Sequence, residues 1–229
     1  MKLRLLSTCL KSTSLKELST GLSTRVGYKV WRSNKTRKNR LHLKYGDQKN
    51  KIEQYIFFAE NDIPALDFTT NSEIARYWWQ DGAVVVGRKL TRASEGKGIV
   101  IFDPSDEFST PPIHCPVYTL YKKKKKEFRI HVFKDKVVHV LEKRKKKGVV
   151  CDAKVRNTAN GYVFCSDNVE EPEGLRELAL KASKVTTSDF KGVDIGWNEK
   201  KQELFVIEVN SAPGITGTNI QRYVNAITN

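Results

Sequence analysis

The sequence predicts an α/β protein made of α+β lobes, and three observations carry this prediction. Apolar residues recur at helical spacing in Asn50–Glu60 and again from Leu175 to Val185. Short β-rich runs bounded by turn residues fill most of the chain between and after these segments. With 39% hydrophobic residues in 229, the chain has enough apolar side chains to bury a core.

The first segment is a short N-terminal unit, residues 1–47, which ends in the turn Tyr45-Gly46-Asp47. Its start, Met1 to Arg25, is rich in Ser, Thr, Lys and Leu and has Glu17 as its single acid, a composition that resembles a transit peptide. The alternative is a small strand followed by a helix around Ser14–Leu18, and we favour that structural interpretation. No apolar run approaches the roughly 20 residues that a membrane span needs.

The second segment, residues 48–229, opens with two helices. Asn50–Glu60 carries the first, and Asn71 is placed to cap the second. Strands are then predicted at Ala83–Leu90, Ile99–Phe102 and Pro116–Tyr121, which together form a small strand-rich lobe over about residues 83–121.

The rest, about residues 122–229, is predicted to form a larger C-terminal lobe. Phe128–Phe133 and Val137–Leu141 flank a Lys-Asp-Lys turn and indicate a hairpin. The helix that begins near Leu175 follows, and a second hairpin closes the chain, with strands around Val193–Trp197 and Leu204–Val209.

Charge and cysteine usage narrow the function classes. The net charge is +15, which favours an anionic ligand such as a nucleotide, a nucleic acid or an acidic protein segment. Much of the excess lies in Lys122–Lys126 and Lys143–Lys147, runs typical of solvated loops. The four cysteines are widely spaced, which argues against a zinc site or a disulfide framework and predicts reduced thiols in a cytosolic setting.

The closing hairpin carries a candidate metal site. Side chains alternate across a strand, so Glu208 and Asn210 point to one face. If the hairpin pairs with Lys201 near its centre, Asp194 lies opposite Glu208. Two carboxylates and an amide oxygen then form a site suited to Mg²⁺. The alternative is an ordinary hairpin with scattered polar residues.

Two further groups suggest phosphate chemistry. Lys89 ends a strand just before the loop with Gly96-Lys97-Gly98, where glycines let backbone N–H groups approach phosphate oxygens, although the spacing is neither a Walker A loop nor GxGxxG. Arg129, Lys143 and Arg144 lie on a predicted hairpin and are candidates to clamp a transferring phosphoryl group. A plain glycine hairpin and a charged outer sheet face are the respective alternatives.

In chain order these groups are a glycine loop after a strand lysine, an Arg-bearing hairpin, and a final hairpin with Asp and Glu-x-Asn. This order resembles the ATP-grasp superfamily, and within it the glutamate-ligase-like branch. The short, basic ATP-grasp proteins of tailed phages look especially similar through Arg88-Lys89-Leu90, the run Glu127 to His131, and Lys143-Arg144. The resemblance covers roughly Asn50 to Thr218, and its most specific part is the segment from Glu208 to Gly214. It implies an ATP-grasp fold with a reduced N-terminal unit.

The resemblance also implies roles for individual residues. ATP would lie between two lobes, with Thr119-Leu120-Tyr121 as the hinge for the adenine, and Ser211 to Gly217 would line the acceptor end. The implied phosphate contacts are Lys51, Arg88, Lys89 and the loop residues Ser94, Gly96, Lys97 and Gly98. The implied Mg²⁺ ligands are Asp194, Glu208 and Asn210, and the implied catalytic residues are Arg129, Lys143 and Arg144. The hinge departs from its relatives, which are often acidic where this chain has Thr119-Leu120.

The implied activity is that of an ATP-dependent carboxylate–amine ligase, which forms an amide through an acyl phosphate and releases ADP and phosphate. The expected acceptor is anionic, such as an acidic peptide, a tRNA or another nucleic acid, and the expected location is the cytoplasm, or the host cytoplasm if the chain is phage-encoded. Two alternatives stay open: a basic nucleic-acid-binding protein with a vestigial nucleotide site, and an ATP-dependent phosphotransferase on the same fold.

Overall fold

A computed structural model describes residues 2–7, 11–24, 29–35, 41–47, 50–92, 96–150 and 154–229. Within these ranges, every helix is too short or too polar to cross a lipid bilayer. The elements in chain order are β1 (Lys2–Ser7), α1 (Thr13–Ser23), β2 (Lys29–Ser33), β3 (Leu41–Tyr45), α2 (Lys51–Glu60), β4 (Phe68–Thr69), α3 (Ser72–Gln80), β5 (Val85–Arg88), β6 (Ile99–Phe102), β7 (Val117–Leu120), β8 (Lys126–Phe133), β9 (Lys136–Lys145), β10 (Tyr162–Cys165), α4 (Leu175–Ser183), β11 (Phe190–Asn198), β12 (Glu203–Asn210) and α5 (Thr218–Thr228).

The N-terminal segment contains a strand and a helix, as the structural interpretation of the sequence predicts. β1 lies between β2 and β3 in a parallel three-stranded sheet. The helix α1 begins after Ser12, whose hydroxyl accepts a hydrogen bond from the Leu15 N–H. Leucines of β1 and α1 pack together with residues of the last helix, so both ends of the chain share one hydrophobic cluster: Leu3, Leu5, Leu15, Leu18, Leu22, Leu43, Tyr45, Phe133, Phe190, Ile215, Tyr223 and Val224.

The carboxyl end of β3 also holds the segment that follows β12. The Tyr45 hydroxyl donates to the carbonyl of Pro213 at 2.9 Å, and the Gly46 N–H donates to the carbonyl of Ser211 at 3.0 Å. The Ile215 N–H donates to the Ser14 hydroxyl at 3.0 Å. The N-terminal unit therefore fixes the loop that the family resemblance places at the acceptor end.

The small lobe is a four-stranded antiparallel sheet with the order β4-β7-β5-β6. Its outer face packs on α3 through Ala75, Val85 and Phe102. Asn71 caps α3 as predicted, since its side chain accepts from the Glu73 N–H at 2.8 Å. The strand predicted over Ala83–Leu90 is shorter in the structure and ends at Arg88.

The large lobe is a five-stranded antiparallel sheet with the order β10-β9-β8-β11-β12. One face packs on α4, where Phe128, Ile130 and Ile195 meet Leu178 and Ala182. The helix α2 packs on β12, and its start is fixed by a capping box between Asn50 and Glu53. The second face of this sheet is left for the cavity between the lobes.

The run Lys122–Lys126 is not the solvated loop that its composition suggests, because four of its lysines pair with acids, and three of these lysines pair with acids distant in sequence. This run links the small lobe to the large one, so the ion pairs fix the path of the connection. The pairs are Lys122 with Asp67 at 3.4 Å and Glu203 at 3.7 Å, Lys124 with Glu127 at 3.5 Å, Lys125 with Glu199 at 3.1 Å, and Lys126 with Glu170 at 2.7 Å.

His131 is buried in the core that joins the large sheet to α5. Its Nδ1 lies 3.1 Å from the hydroxyl of Tyr223, and 2% of the residue is exposed. Burial, followed by the charges of Arg129 and His139, lowers the pKa of His131 to about 3. His131 is therefore a structural residue of this core.

This burial makes stability sensitive to mild acid. Below the ordinary pKa of about 6.5 the unfolded chain binds a proton that native His131 does not. The free energy of unfolding should therefore fall by up to about 1.4 kcal/mol per pH unit as pH drops from 6.5 towards 5. His131→Asn keeps a partner for Tyr223 and should lose the part of this pH dependence that comes from His131, as measured by urea unfolding at several pH values.

The control His114→Asn, in an exposed loop, should keep the pH dependence of the wild type. An unchanged slope in His131→Asn would contradict the assignment.

Candidate active site

A cavity of about 480 Å³ lies between the small sheet and the large sheet. Among the described residues that line it, eight are basic and three are acidic, an excess of five positive charges. Such an excess raises the local concentration of anionic ligands and favours their binding. The basic residues are Arg88, Lys97, Lys122, Lys124, Arg129, Lys143, Lys154 and Arg156, and the acidic ones are Glu127, Asp194 and Glu208.

Asp194 and Glu208 of the closing hairpin line this cavity, and they pair in the register that the sequence predicts. Gly192 pairs with Asn210 and Asp194 pairs with Glu208, which centres this part of the pairing on Lys201. A bulge between Asp194 and Ile195 shifts the register beyond that point. The Asn210 amide nitrogen donates to Glu208 Oε1 at 2.9 Å, which turns the amide oxygen away from that carboxylate. Two carboxylates and one amide oxygen therefore share one patch.

Asp194 is held by two cations from neighbouring strands. Arg129 lies opposite it on β8 and donates through Nε and through Nη2, the latter at 2.7 Å. Lys143 of β9 donates to Oδ2 at 3.2 Å and also to Glu127. Burial alone would raise the pKa of Asp194, but the charges of Arg129 and Lys143 lower it below its ordinary value. Asp194 is therefore ionised at neutral pH.

Glu208 is held by a lysine from a different element. Lys51 is the first residue of α2, its side chain is 2% exposed, and its ammonium donates to Glu208 Oε2. Burial would raise the pKa of Glu208, but the charges of Lys51 and Arg88 and the hydrogen bonds from Lys51 and Asn210 lower it. The two opposed carboxylates are thus both ionised, and each has its own cation.

The structure separates the two basic residues at the end of β5. Arg88 lines the cavity and its charge acts on Glu208, whereas Lys89 is exposed, does not line the cavity and acts on Cys115. Side chains alternate along a strand, so only one of two neighbours faces the site. The position of Lys89 therefore does not support the expected contact with phosphates. Arg88 lines the cavity in its place.

The glycine loop is only partly described. Gly96 and Lys97 line the cavity, as predicted. Gly98 instead shapes the turn: its φ is +74°, and its carbonyl accepts from the Lys89 N–H at 2.8 Å. Ser94, predicted to cover the phosphates, lies outside the described residues, as do Cys9 and Cys151.

The same alternation separates Lys143 from Arg144. Lys143 faces the cavity, while Arg144 pairs with Glu142 at 2.8 Å and donates to the carbonyl of Asn168 at 2.7 Å, away from the cavity lining. The predicted catalytic role of Arg144 therefore lacks support from its position. The predicted hinge residue Tyr121 does line the cavity.

Four basic residues of the cavity lining were missed by sequence reasoning, namely Lys122, Lys124, Lys154 and Arg156, and two of them show why. Lys124 lies in a run that looked solvated, and Arg156 lies in the connection between β9 and β10, which has no periodic pattern. Arg156 donates to the carbonyls of Lys124 at 2.9 Å and Lys125 at 3.2 Å. The buried Nε atoms of Arg88 and Arg156 have no hydrogen-bond partner. A buried unpaired donor costs about 1–3 kcal/mol, so these two point to an anionic ligand.

The donor set of the hairpin fits Mg²⁺. Within the described residues, no group of three or more His, Cys, Asp or Glu side chains comes together as a self-sufficient metal site. Asp194, Glu208 and Asn210 instead offer two carboxylates and an amide. Mg²⁺ keeps several waters and is bound through one or two carboxylates together with substrate phosphates, so this sparse set suits it.

Comparison with known proteins relates part of the chain to one family. Residues 118–228 match the RimK-like ATP-grasp domain. The part of the chain that contains the large sheet and α5 is therefore similar to a RimK-like ATP-grasp domain. The ribosomal protein bS6–L-glutamate ligase of Escherichia fergusonii is 32% identical over 137 residues, a match that spans 56% of this chain and 43% of that ligase. The chain thus spans less than half the length of this curated relative.

Solved structures share the ATP-grasp fold across nearly the whole chain. The ATP-grasp ligase PsnB, complexed with a minimal precursor, superposes with a TM-score of 0.70 at 10% identity over 99% of this chain and 98% of that one. The D-alanine–D-alanine ligase of Bacillus anthracis gives 0.63 at 13% identity over 100% and 92% of the two chains. The macrocyclase MdnC of Microcystis aeruginosa, bound to its precursor peptide, gives 0.61 at 10% identity over 100% and 99%.

The Lys51–Glu208 pair should be strongly coupled, because removing one partner leaves the other charge buried. Lys51→Met and Glu208→Gln should each lower the free energy of unfolding by about 3–5 kcal/mol, and the double variant should cost clearly less than their sum. Urea unfolding at pH 7 measures all three. The exposed pair Arg176–Glu171 is the matched control, with an expected coupling below about 1 kcal/mol. Additive effects at Lys51 and Glu208 would show that the buried pair does not act as a unit.

Proposed function

We propose that the chain is an ATP-dependent carboxylate–amine ligase. The observation that carries this proposal is the opposed pair Asp194 and Glu208, with Asn210 beside it, in a basic cavity between the two lobes of an ATP-grasp fold. The relative with 32% identity is a glutamate ligase, and two of the fold neighbours are a ligase with its precursor and a macrocyclase with its precursor peptide. These relatives support amide formation.

Apolar residues of the cavity lining, among them Leu66, Val86 and Phe205, suit a base, while Arg88 and Lys97 suit phosphates, so the lining matches a nucleoside triphosphate. Asp194, Glu208 and Asn210 would hold Mg²⁺, which neutralises phosphate charge when bound.

The reaction needs no nucleophile from the protein. A carboxylate oxygen of the substrate attacks the γ-phosphorus of ATP, the bond to the β-phosphate oxygen breaks, and ADP leaves. An amine then attacks the carbonyl carbon of the acyl phosphate, phosphate leaves, and the amine nitrogen loses a proton. Nearby carboxylates raise the pKa of both Arg129 and Lys143 above the ordinary values despite burial, so both stay cationic. They neutralise charge on the transferring group while the cavity positions the reactants.

The acceptor side is open to an anionic macromolecule. Lys145, Lys146 and Lys147 are exposed at the end of β9, next in sequence to Lys143, which lines the cavity. Such a row attracts acidic peptides and nucleic acids alike, in a manner that weakens as salt rises. We propose an acidic peptide, because the fold neighbours PsnB and MdnC are each complexed with a precursor or precursor peptide.

The nucleotide–metal site can be tested by thermal unfolding with ATP, with and without Mg²⁺. Ligand at a hundred times its dissociation constant adds about 2.7 kcal/mol, or roughly 5–10 °C for a chain of this size. Asn210→Ala removes an amide oxygen without unpairing Lys51, and it should lose most of the magnesium-dependent part of the shift. Asn61→Ala, at the exposed end of α2, is the matched control and should keep it. Each variant is compared with its own ligand-free transition.

The other results of this experiment each contradict part of the proposal. A magnesium-dependent shift in Asn210→Ala as large as that of the wild type would show that Asn210 does not help to hold the metal. No shift in any protein, despite a cooperative transition, would favour a nucleic-acid-binding protein whose affinity falls with salt and ignores ATP. Formation of a stable phosphorylated product without any need for an amine would indicate a phosphotransferase.

A further inference from the structure

The cavity lining contains a buried hydroxyl, that of Thr119, which has no hydrogen-bond partner. Thr119 pairs with Val86, which pairs in turn with Ile101, so the three side chains form a row across the small sheet that faces the cavity. Thr119 is 1% exposed, and its Oγ1 makes no hydrogen bond. Thr119 lies on the predicted hinge.

The surroundings of Thr119 explain why this hydroxyl matters. The backbone of Thr119 sits inside the sheet, between Phe68 and Val86. The backbone N–H groups of the next two residues are also used within the protein: Leu120 donates to Asp67 at 2.9 Å, and Tyr121 donates to Val84 at 2.9 Å. A buried hydroxyl without a partner carries a cost that a polar ligand atom can remove. The hydroxyl of Thr119 is therefore placed to recognise a ligand.

The orientation of a bound nucleotide follows from the positions of residues along β5. Arg88 lies two residues beyond Val86 on the same face of β5, roughly 7 Å further along, and marks the phosphate end. In a purine nucleotide the ribose is attached at N9, and position 6 lies on the opposite edge of the base. A base bound beside this row with its phosphates at Arg88 would therefore turn its position 6 towards Thr119.

We propose that Thr119 recognises the purine base at position 6 and that it accepts both ATP and GTP. A hydroxyl rotates to suit its partner: it accepts from the 6-amino group of adenine and donates to the 6-oxo group of guanine. An acid at this position would accept from adenine and repel guanine. This inference rests on the proposed nucleotide site and adds its base selectivity.

Calorimetric titration with the magnesium complexes of ATP, GTP and purine riboside triphosphate tests this inference, because the last nucleotide lacks a group at position 6. The wild type should bind ATP and GTP with dissociation constants within about tenfold of each other. Thr119→Val, close in shape but without a hydroxyl, should weaken both by about 3- to 10-fold, the loss of one hydrogen bond, and leave purine riboside triphosphate unchanged. Thr119→Ser should keep the wild-type pattern.

Thermal unfolding without ligand supplies a second measurement, in which Thr119→Val should gain stability although it loses nucleotide affinity. Thr119→Val removes an unpaired buried hydroxyl, so its transition should rise by about 2–4 °C while its nucleotide affinity falls. Ser109 is the matched control, since its buried hydroxyl also lacks a partner but does not line the cavity. Ser109→Ala should gain stability and leave all three dissociation constants unchanged.

Two kinds of result would contradict this inference, and they differ in whether the proposed nucleotide site still stands. If Thr119→Val binds ATP as tightly as the wild type, or if the wild type prefers ATP over GTP by more than about a hundredfold, the role of Thr119 is overturned while the nucleotide site stands. If the wild type binds none of the three nucleotides, the proposed function fails and this inference fails with it.

Discussion

The carboxylates of Asp194 and Glu208 face each other across adjacent strands, and the rest of the site is arranged around these two charges. Like charges directly opposite one another destabilise a sheet, and burial makes the repulsion stronger. The structure offsets it with cations from three other elements: Arg129 from β8, Lys143 from β9 and Lys51 from α2. The order of the sheet and the position of α2 on β12 are therefore tied to the presence of Asp194 and Glu208.

This arrangement gives each cation two uses. Without a ligand, Arg129 and Lys143 stabilise the carboxylate of Asp194. In the proposed reaction a divalent ion would take over that carboxylate, and the two cations would face the transferred phosphoryl group. Phe164 lies beside both, with its ring centre 5.1 Å from the Arg129 guanidinium carbon and 5.6 Å from the Lys143 ammonium. An aromatic ring attracts both cations without competing for the anion that they would bind.

The sequence predicts the part of the site that depends on local rules. The register of Asp194 against Glu208 follows from the short turn and from side-chain alternation. The capped helix α2 and the sheet strands follow from periodicity, the predicted hairpin supplied Arg129, and the family resemblance supplied Lys51. Alternation also explains why Lys89 and Arg144 lie away from the cavity lining, because a run of adjacent basic residues does not show which of them faces the cavity.

Other residues of the site depend on contacts distant in sequence. Lys124 and Arg156 reach the cavity through a connection and a loop that have no periodic signal. The family resemblance places Thr119 in the hinge, but only the structure shows that its hydroxyl is buried and has no hydrogen-bond partner. Such features arise from the packing of the two lobes, so a single sequence does not reveal them.

In the proposed function Asp194, Glu208 and Asn210 together hold the divalent ion that accompanies the nucleotide. A crystal structure with Mn²⁺ and a non-hydrolysable ATP analogue would locate this ion, since manganese is found by its anomalous scattering. We expect an anomalous peak within coordination distance of all three side chains, with Arg129 no longer holding both oxygens of Asp194. An ordered nucleotide whose metal lies elsewhere, with the Arg129–Asp194 pair intact, would contradict it.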